Sequence, residues 1–126
     1  MQRFLFVCLG GAIGTGARYL VGLAAQRLWG QTFPAGTLIV NVAGCFLLGI
    51  IMHLSARQVI SDDARLTLGT GVMGGLTTYS TFNYETLKFV GDRAWAMGGL
   101  NFAATTVLCF AAGVLGVALA RWYTGV

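Results

Sequence analysis

Apolar residues fall in four long blocks separated by short polar connections: Phe4 to Ala25, Ala35 to Leu54, Leu66 to Val90 and Trp95 to Trp122. Each approaches or exceeds the roughly 20 mainly apolar residues that carry a helix across a bilayer. The connections, Arg27 to Pro34, Ser55 to Arg65 and Gly91 to Arg93, leave no room for a soluble domain or linker. The pattern predicts an all-α membrane protein, a single transmembrane domain over residues 1–126 with four spans per subunit. Arg3 followed by Phe4–Leu9 has the look of a short signal peptide. The block continues through Gly10–Ala17 toward Leu23 and three more blocks follow, so a retained first helix is expected.

The third block departs from the pattern. Gly74-Gly75-Leu76-Thr77-Thr78-Tyr79-Ser80-Thr81-Phe82 places a glycine pair and a run of hydroxyls at bilayer depth. Irregular backbone survives there only where protein or a water-lined cavity satisfies it. Gly74 and Gly75 weaken a helix, and Thr77, Thr78, Ser80 and Thr81 can bond backbone carbonyls and open it. A broken third helix is therefore expected. Freed carbonyls, such as those of Gly74 and Thr77, can hold a hard cation. The helix that restarts offers free N–H groups and a positive dipole end to an anion.

Composition supports the membrane assignment. The chain is 56% hydrophobic and 10% charged, against roughly 25% charged in soluble domains. Its 19 glycines suit close helix contact in lipid. Small-xxx-small spacings at Gly10/Gly14 and Gly71/Gly75 are candidate contact faces. The net charge of +4 is scattered at the ends of apolar blocks, which points to headgroup anchoring and not to nucleic acid. Cys8, Cys45 and Cys109 have no metal-ligand spacing and read as small buried hydrophobes.

With four spans both termini share a side, which carries Arg3, Arg57, Arg65 and Arg121. The other side carries Arg27, Lys88 and Arg93, with Arg18 inside the first span. So even a distribution barely orients the chain. Dual topology follows, with two oppositely inserted copies paired about an axis in the membrane plane.

Several polar groups stand out in the apolar bulk. Arg18 either snorkels to the interface or lines an aqueous vestibule and concentrates anions. Asn41 serves as glue between helices or donates its NH₂ to an anion in a pore. His53, near the end of its block, reads as interfacial. Thr78, Phe82 and Glu85 share one helix face, and Tyr79 and Phe82 stack three apart. An aromatic ring edge carries partial positive charge and can face an anion. Glu85, the only acid within a span, either pairs with Lys88 or bears on ion passage. Asn101, Thr105 and Cys109 form a polar stripe along the last span.

Three ordered motifs then carry a resemblance: Gly10-Gly11-Ala12-x-Gly14-x-x-Ala17-Arg18-Tyr19, Gly36-Thr37-Leu38-x-Val40-Asn41, and Gly74 through Phe82 followed by Glu85. Over essentially its whole length the chain resembles the small fluoride channels called Fluc, or CrcB. The resemblance implies an antiparallel homodimer in membrane lipid with two fluoride pores and one central structural sodium ion. It assigns the sodium-binding carbonyls to Gly74 and Thr77 and the vestibule arginine to Arg18. The implied pore residues are Asn41, Tyr79, Ser80, Thr81, Phe82 and Glu85, with Thr105 and Cys109 matching more loosely. Phenylalanine is usual where Tyr79 stands, which leaves open whether both pores of a homodimer conduct.

The expectation is a passive fluoride exporter of the bacterial inner membrane: a channel, not an enzyme. One rival is a small dual-topology multidrug or cation exporter. It needs a carboxylate deep in the first span, where this chain has only Arg18. The other rival, a non-conducting partner subunit of a heterodimeric channel, is encouraged only by Tyr79.

Overall fold

A computed structural model describes residues 1–125, which are helical with short connections and contain no strand. Helix α1 spans Gln2–Trp29, α2 Ala35–Ala56 and α6 Trp95–Thr124. These three are long and apolar enough to cross a membrane. Between α2 and α6 the chain is assembled from shorter pieces. Helix α3 (Asp62–Arg65) opens on Ser61, whose hydroxyl accepts the Ala64 N–H at 3.2 Å, with Asp62 and Asp63 at the positive end of the helix. It leads into a π-helix over Leu66–Met73 and a last α-turn, α4, over Gly74–Leu76. Thr77 and Thr78 are extended, and α5 then runs over Tyr79–Gly91. The sequence pattern anticipated an interruption in this block, but not the wide π turns before it.

Polar contacts fix how these pieces run. Arg3 on α1 reaches Asp63 at 2.8 Å, and His53 on α2 meets the Thr124 hydroxyl at 3.1 Å. The start of α1, the end of α2, the start of α3 and the end of α6 therefore gather at one end of the bundle. His53 sits at that end. A cavity at the opposite end is lined from α1, α2 and α5 together.

Glycine makes the two main seams. A Cβ on Gly14 would overlap the Val72 carbonyl, and one on Gly75 would stand 2.5 Å from the Gly11 carbonyl. Gly10 and Gly71 close on each other in the same way. The two small-xxx-small spacings thus interlock with each other within one chain, joining α1 to the π-helix and α4. The second seam joins α2 to α6, where a Cβ on Gly49 would lie 2.6 Å from the Gly113 carbonyl. Small residues let backbones approach where lipid provides no hydrophobic drive between helices. Large apolar side chains point away from the bundle instead: Phe110 is 77% exposed and Phe4 65%. Together with the three long apolar helices, this surface belongs to an integral membrane protein.

Candidate functional site

The interruption at Thr77–Thr78 is wired by side chains. In a continuing helix the Thr78 N–H would bond the Gly74 carbonyl. Here it donates to Asn41 Oδ1 at 2.7 Å, while Asn41 Nδ2 donates to the Thr78 carbonyl at 3.1 Å. One buried amide side chain from α2 thus satisfies both main-chain groups of Thr78, as a neighbouring strand would. An amide carries two N–H donors, so a second remains on Asn41. Thr77 ends α4 by donating its hydroxyl to the Met73 carbonyl at 2.9 Å. Thr78 starts α5 as its N-cap, its hydroxyl oxygen accepting the Thr81 N–H at 3.2 Å. That hydroxyl donates onward to Thr81 Oγ1 at 2.9 Å and lies 3.4 Å from Ser80 Oγ.

Gly74 and Gly75, expected to weaken the helix, remain helical, and the chain opens just after them, at Thr77 and Thr78 among the hydroxyl residues. The reason is tertiary: Asn41 captures Thr78, whereas Gly75 is held against α1. The Gly74 carbonyl still loses its usual partner, because Thr78 has turned to Asn41. A side chain at Gly74 would meet open space. The Thr77 carbonyl faces Arg18, whose Nη1 stands at 3.5 Å, too long for a strong bond.

Arg18 is half-buried beside a cavity of about 330 Å³ lined by Thr15, Thr37, Val40, Thr78 and Thr81. A second cavity of about 450 Å³ lies toward the end of the bundle, lined by Gln26, Gln31, Tyr84, Glu85, Lys88 and Asp92. Thr37 borders both. Its hydroxyl donates to Glu85 Oε1 at 2.7 Å, and Glu85 Oε2 is buried without a partner. Of the two readings of Glu85, the pairing with Lys88 does not form: the ion pairs among the described residues are Arg3–Asp63 and Arg65–Asp62.

Phe82 is buried, with the Tyr79 ring edge-on at 5.5 Å and Phe102 of α6 stacked at 6.2 Å. The predicted Tyr79–Phe82 contact is present, although Tyr79 itself is 76% exposed on the chain. Ser80 and Thr81 are also exposed. Along α6, Asn101 and Thr105 are buried. Thr105 Oγ1 has no partner, so it does not fold back onto its own helix as Thr67, Thr77, Thr86 and Thr124 do. Cys109 ends the stripe beside Cys45 of α2. All three cysteines are free, and Cys8, expected to be buried, is exposed among the outward apolar residues of α1.

Arg18, Asn41, Thr77, Thr78 and Thr81 therefore meet at the interruption, with Phe82 one turn along α5 and Glu85 beyond it. Thr37, Thr86 and Asn101 join this network through contacts that spacing along one helix does not reveal. The Thr37 position was visible only as part of a motif.

Fold and site define an α-helical integral membrane protein with a polar, side-chain-braced interruption beside open cavities. The sequence profile described as "CrcB-like protein, Camphor Resistance (CrcB)" matches residues 5–117, and the chain belongs to that family. It is 50% identical over 122 residues, 96% of each chain, to the fluoride-specific ion channel FluC of Sorangium cellulosum. A FluC protein of Anaeromyxobacter dehalogenans is 50% identical over 126 residues, 99% of this chain and all of the relative. Another, from Shewanella woodyi, is 43% identical over 109 residues, 86% of this chain and 88% of its own.

Proposed function

We propose that this protein is a passive, fluoride-selective channel that lets cytoplasmic fluoride leave the cell down the membrane potential. The observation that carries this reading is the interruption braced by Asn41 beside the Arg18 cavity. It occurs in a chain whose relatives at 50% identity are named for fluoride conduction. Fluoride is small and strongly hydrated, so a selective pore must replace its water with close donors. The free N–H of Asn41 and the hydroxyls of Ser80, Thr81 and Thr105 are suited to this. The ring edges of Phe82 and Tyr79 add weaker positive contacts. Arg18 gathers anions in the vestibule, and Thr37, which borders both cavities, holds Glu85. Cys109 continues the pore wall. Chloride, being larger, clashes in so narrow a passage.

In this reading the 62–91 segment is the third of four crossings, and residues 1–126 form a single four-helix domain. Its supports are the contacts that put Asp63 at one end of the bundle and Glu85 by the cavity at the other. Two copies of opposite orientation in the inner membrane complete the channel, with a pore on each side. The exposure of Tyr79, Ser80 and Gly74 on the isolated chain is what such a partner would cover. A structural sodium ion fits at the junction. Its ligands are hard carbonyl oxygens, that of Gly74 freed from its helical partner and that of Thr77 only weakly engaged by Arg18.

Purified protein in liposomes tests the function through a fluoride electrode. Rapid efflux without a proton gradient, unaffected by excess chloride, is expected. Fluoride retention equal to that of protein-free liposomes would remove the reading. Phe82→Ile and Asn41→Asp are each expected to abolish efflux while leaving the protein's elution in detergent unchanged.

A further inference from the structure

The chain holds Phe82 from a second helix by two separate grips. Asn101 on α6 is 1% exposed, and its Nδ2 donates to Thr86 Oγ1 at 2.9 Å. Thr86 Oγ1 donates in turn to the Phe82 carbonyl at 2.8 Å. A threonine hydroxyl bonding the carbonyl four residues back is common and by itself implies nothing. Here the hydroxyl oxygen already accepts from Asn101, so its single proton is directed to Phe82. Such a relay polarises each bond in it. The residue after Asn101, Phe102, stacks on the Phe82 ring at 6.2 Å. Main chain and ring of Phe82 are therefore both set by two adjacent residues of α6, while the Tyr79 ring approaches edge-on.

We infer that Asn101 is a positioning residue for ion selectivity, acting through Thr86 to fix the angle at which Phe82 presents its ring edge. The inference rests on the proposed fluoride conduction and adds a determinant that acts through Phe82. Size discrimination in a narrow pore depends on ring placement to within fractions of an ångström. Losing the relay thus loosens the rejection of the larger halide before it removes the pathway for the smaller one. Asn101→Leu removes the donor at similar volume. Thr86→Val removes the relay's middle with its shape kept, and Thr86→Ser keeps the hydroxyl.

The test measures fluoride and chloride efflux from proteoliposomes for the wild type, these three variants and the Asn101→Leu/Thr86→Val double variant. Asn101→Leu and Thr86→Val are each expected to lower the fluoride-over-chloride ratio about tenfold, with Thr86→Ser retaining it. The double variant should lose no more than either single one, since residues in one relay do not add. Unchanged ratios in Asn101→Leu and Thr86→Val overturn the inference, as does a double variant that loses about a hundredfold. Should Asn101→Leu not fold, Thr86→Val against Thr86→Ser carries the decision alone. A wild type that passes no fluoride overturns the channel reading itself. A conducting wild type with indifferent variants overturns only the role of Asn101.

Discussion

Helix α6 and the 62–91 segment are made of similar material but behave differently. α6 contains Gly98, Gly99, Gly113 and Gly116 together with Asn101, Thr105 and Thr106, and it runs unbroken over Trp95–Thr124. The other contains Gly69, Gly71, Gly74 and Gly75 with its own threonines, and it passes through π turns and then opens. Glycine and hydroxyl content therefore does not decide where a helix breaks. What differs is the partner. Asn101 reaches a side chain on α5 and leaves the main chain of its own helix alone. Asn41 reaches across to the main chain of Thr78 and takes both of its hydrogen-bonding groups. The break is a tertiary feature, imposed from α2.

The largest expected effect concerns what holds the divided segment in place. A Cβ on Gly14 would overlap the carbonyl of Val72, and backbone cannot step aside as a side chain can. Overpacking typically costs about 1–3 kcal/mol and more where the obstacle cannot move, so Gly14→Val should leave little monodisperse protein on size exclusion in detergent. Gly16→Val, at a position with nothing nearby, is the matched control and should elute like the wild type. Equal yields from both variants would show that the α1 seam does not anchor the segment.

Asn41→Leu addresses the contrast directly. It strands the Thr78 N–H and carbonyl, each a loss of about 1–3 kcal/mol when buried. The chain should then loosen at that point, with fluoride efflux abolished. Amide hydrogen exchange reports it: protection at Thr78 should fall, while protection along α6 stays as it was. Full protection and full efflux together would mean the interruption is intrinsic to residues 74–78.

Much of this was legible in the sequence, and the illegible part has a common cause. Block lengths gave the three long helices, because crossing length and apolarity are local properties. The hydroxyl run placed the interruption in the correct block, and the spacing of Tyr79 and Phe82 gave their contact. The capture of the Thr78 main chain by Asn41 was hidden because the two residues lie far apart in sequence. The π turns were hidden as well. The two glycine spacings were visible, but nothing along a single helix says that their partner is each other. Thr37, Thr86 and Asn101 each act by pairing across helices, so no single block displays their role.

A smaller effect is expected at the junction of the two cavities. Thr37→Val removes the one hydrogen bond made by Glu85 while preserving shape. A bond to a carboxylate contributes about 1.5–3 kcal/mol, enough to alter how the acid sits between the cavities. Efflux should slow severalfold with elution unchanged, and Thr37→Ser should restore it. An unchanged rate in Thr37→Val would place Glu85 outside the pathway.

The smallest effect is expected where the divided segment begins. Arg3 and Asp63 meet at 2.8 Å, but their side chains are 64% and 49% exposed. Exposed pairs of this kind contribute about 0.2–1 kcal/mol and are screened by salt. Arg3→Gln should therefore shift the detergent-melting midpoint by no more than a few degrees, with the shift disappearing at high ionic strength and efflux unchanged. The reason lies in the same contrast: the segment is tied to α1 by backbone contact at Gly10, Gly14, Gly71 and Gly75, and to α2 by the Asn41 amide. An ion pair at the rim adds alignment to ties already made. A large, salt-independent drop in Arg3→Gln would mean that the segment is fixed from its end and not along its length.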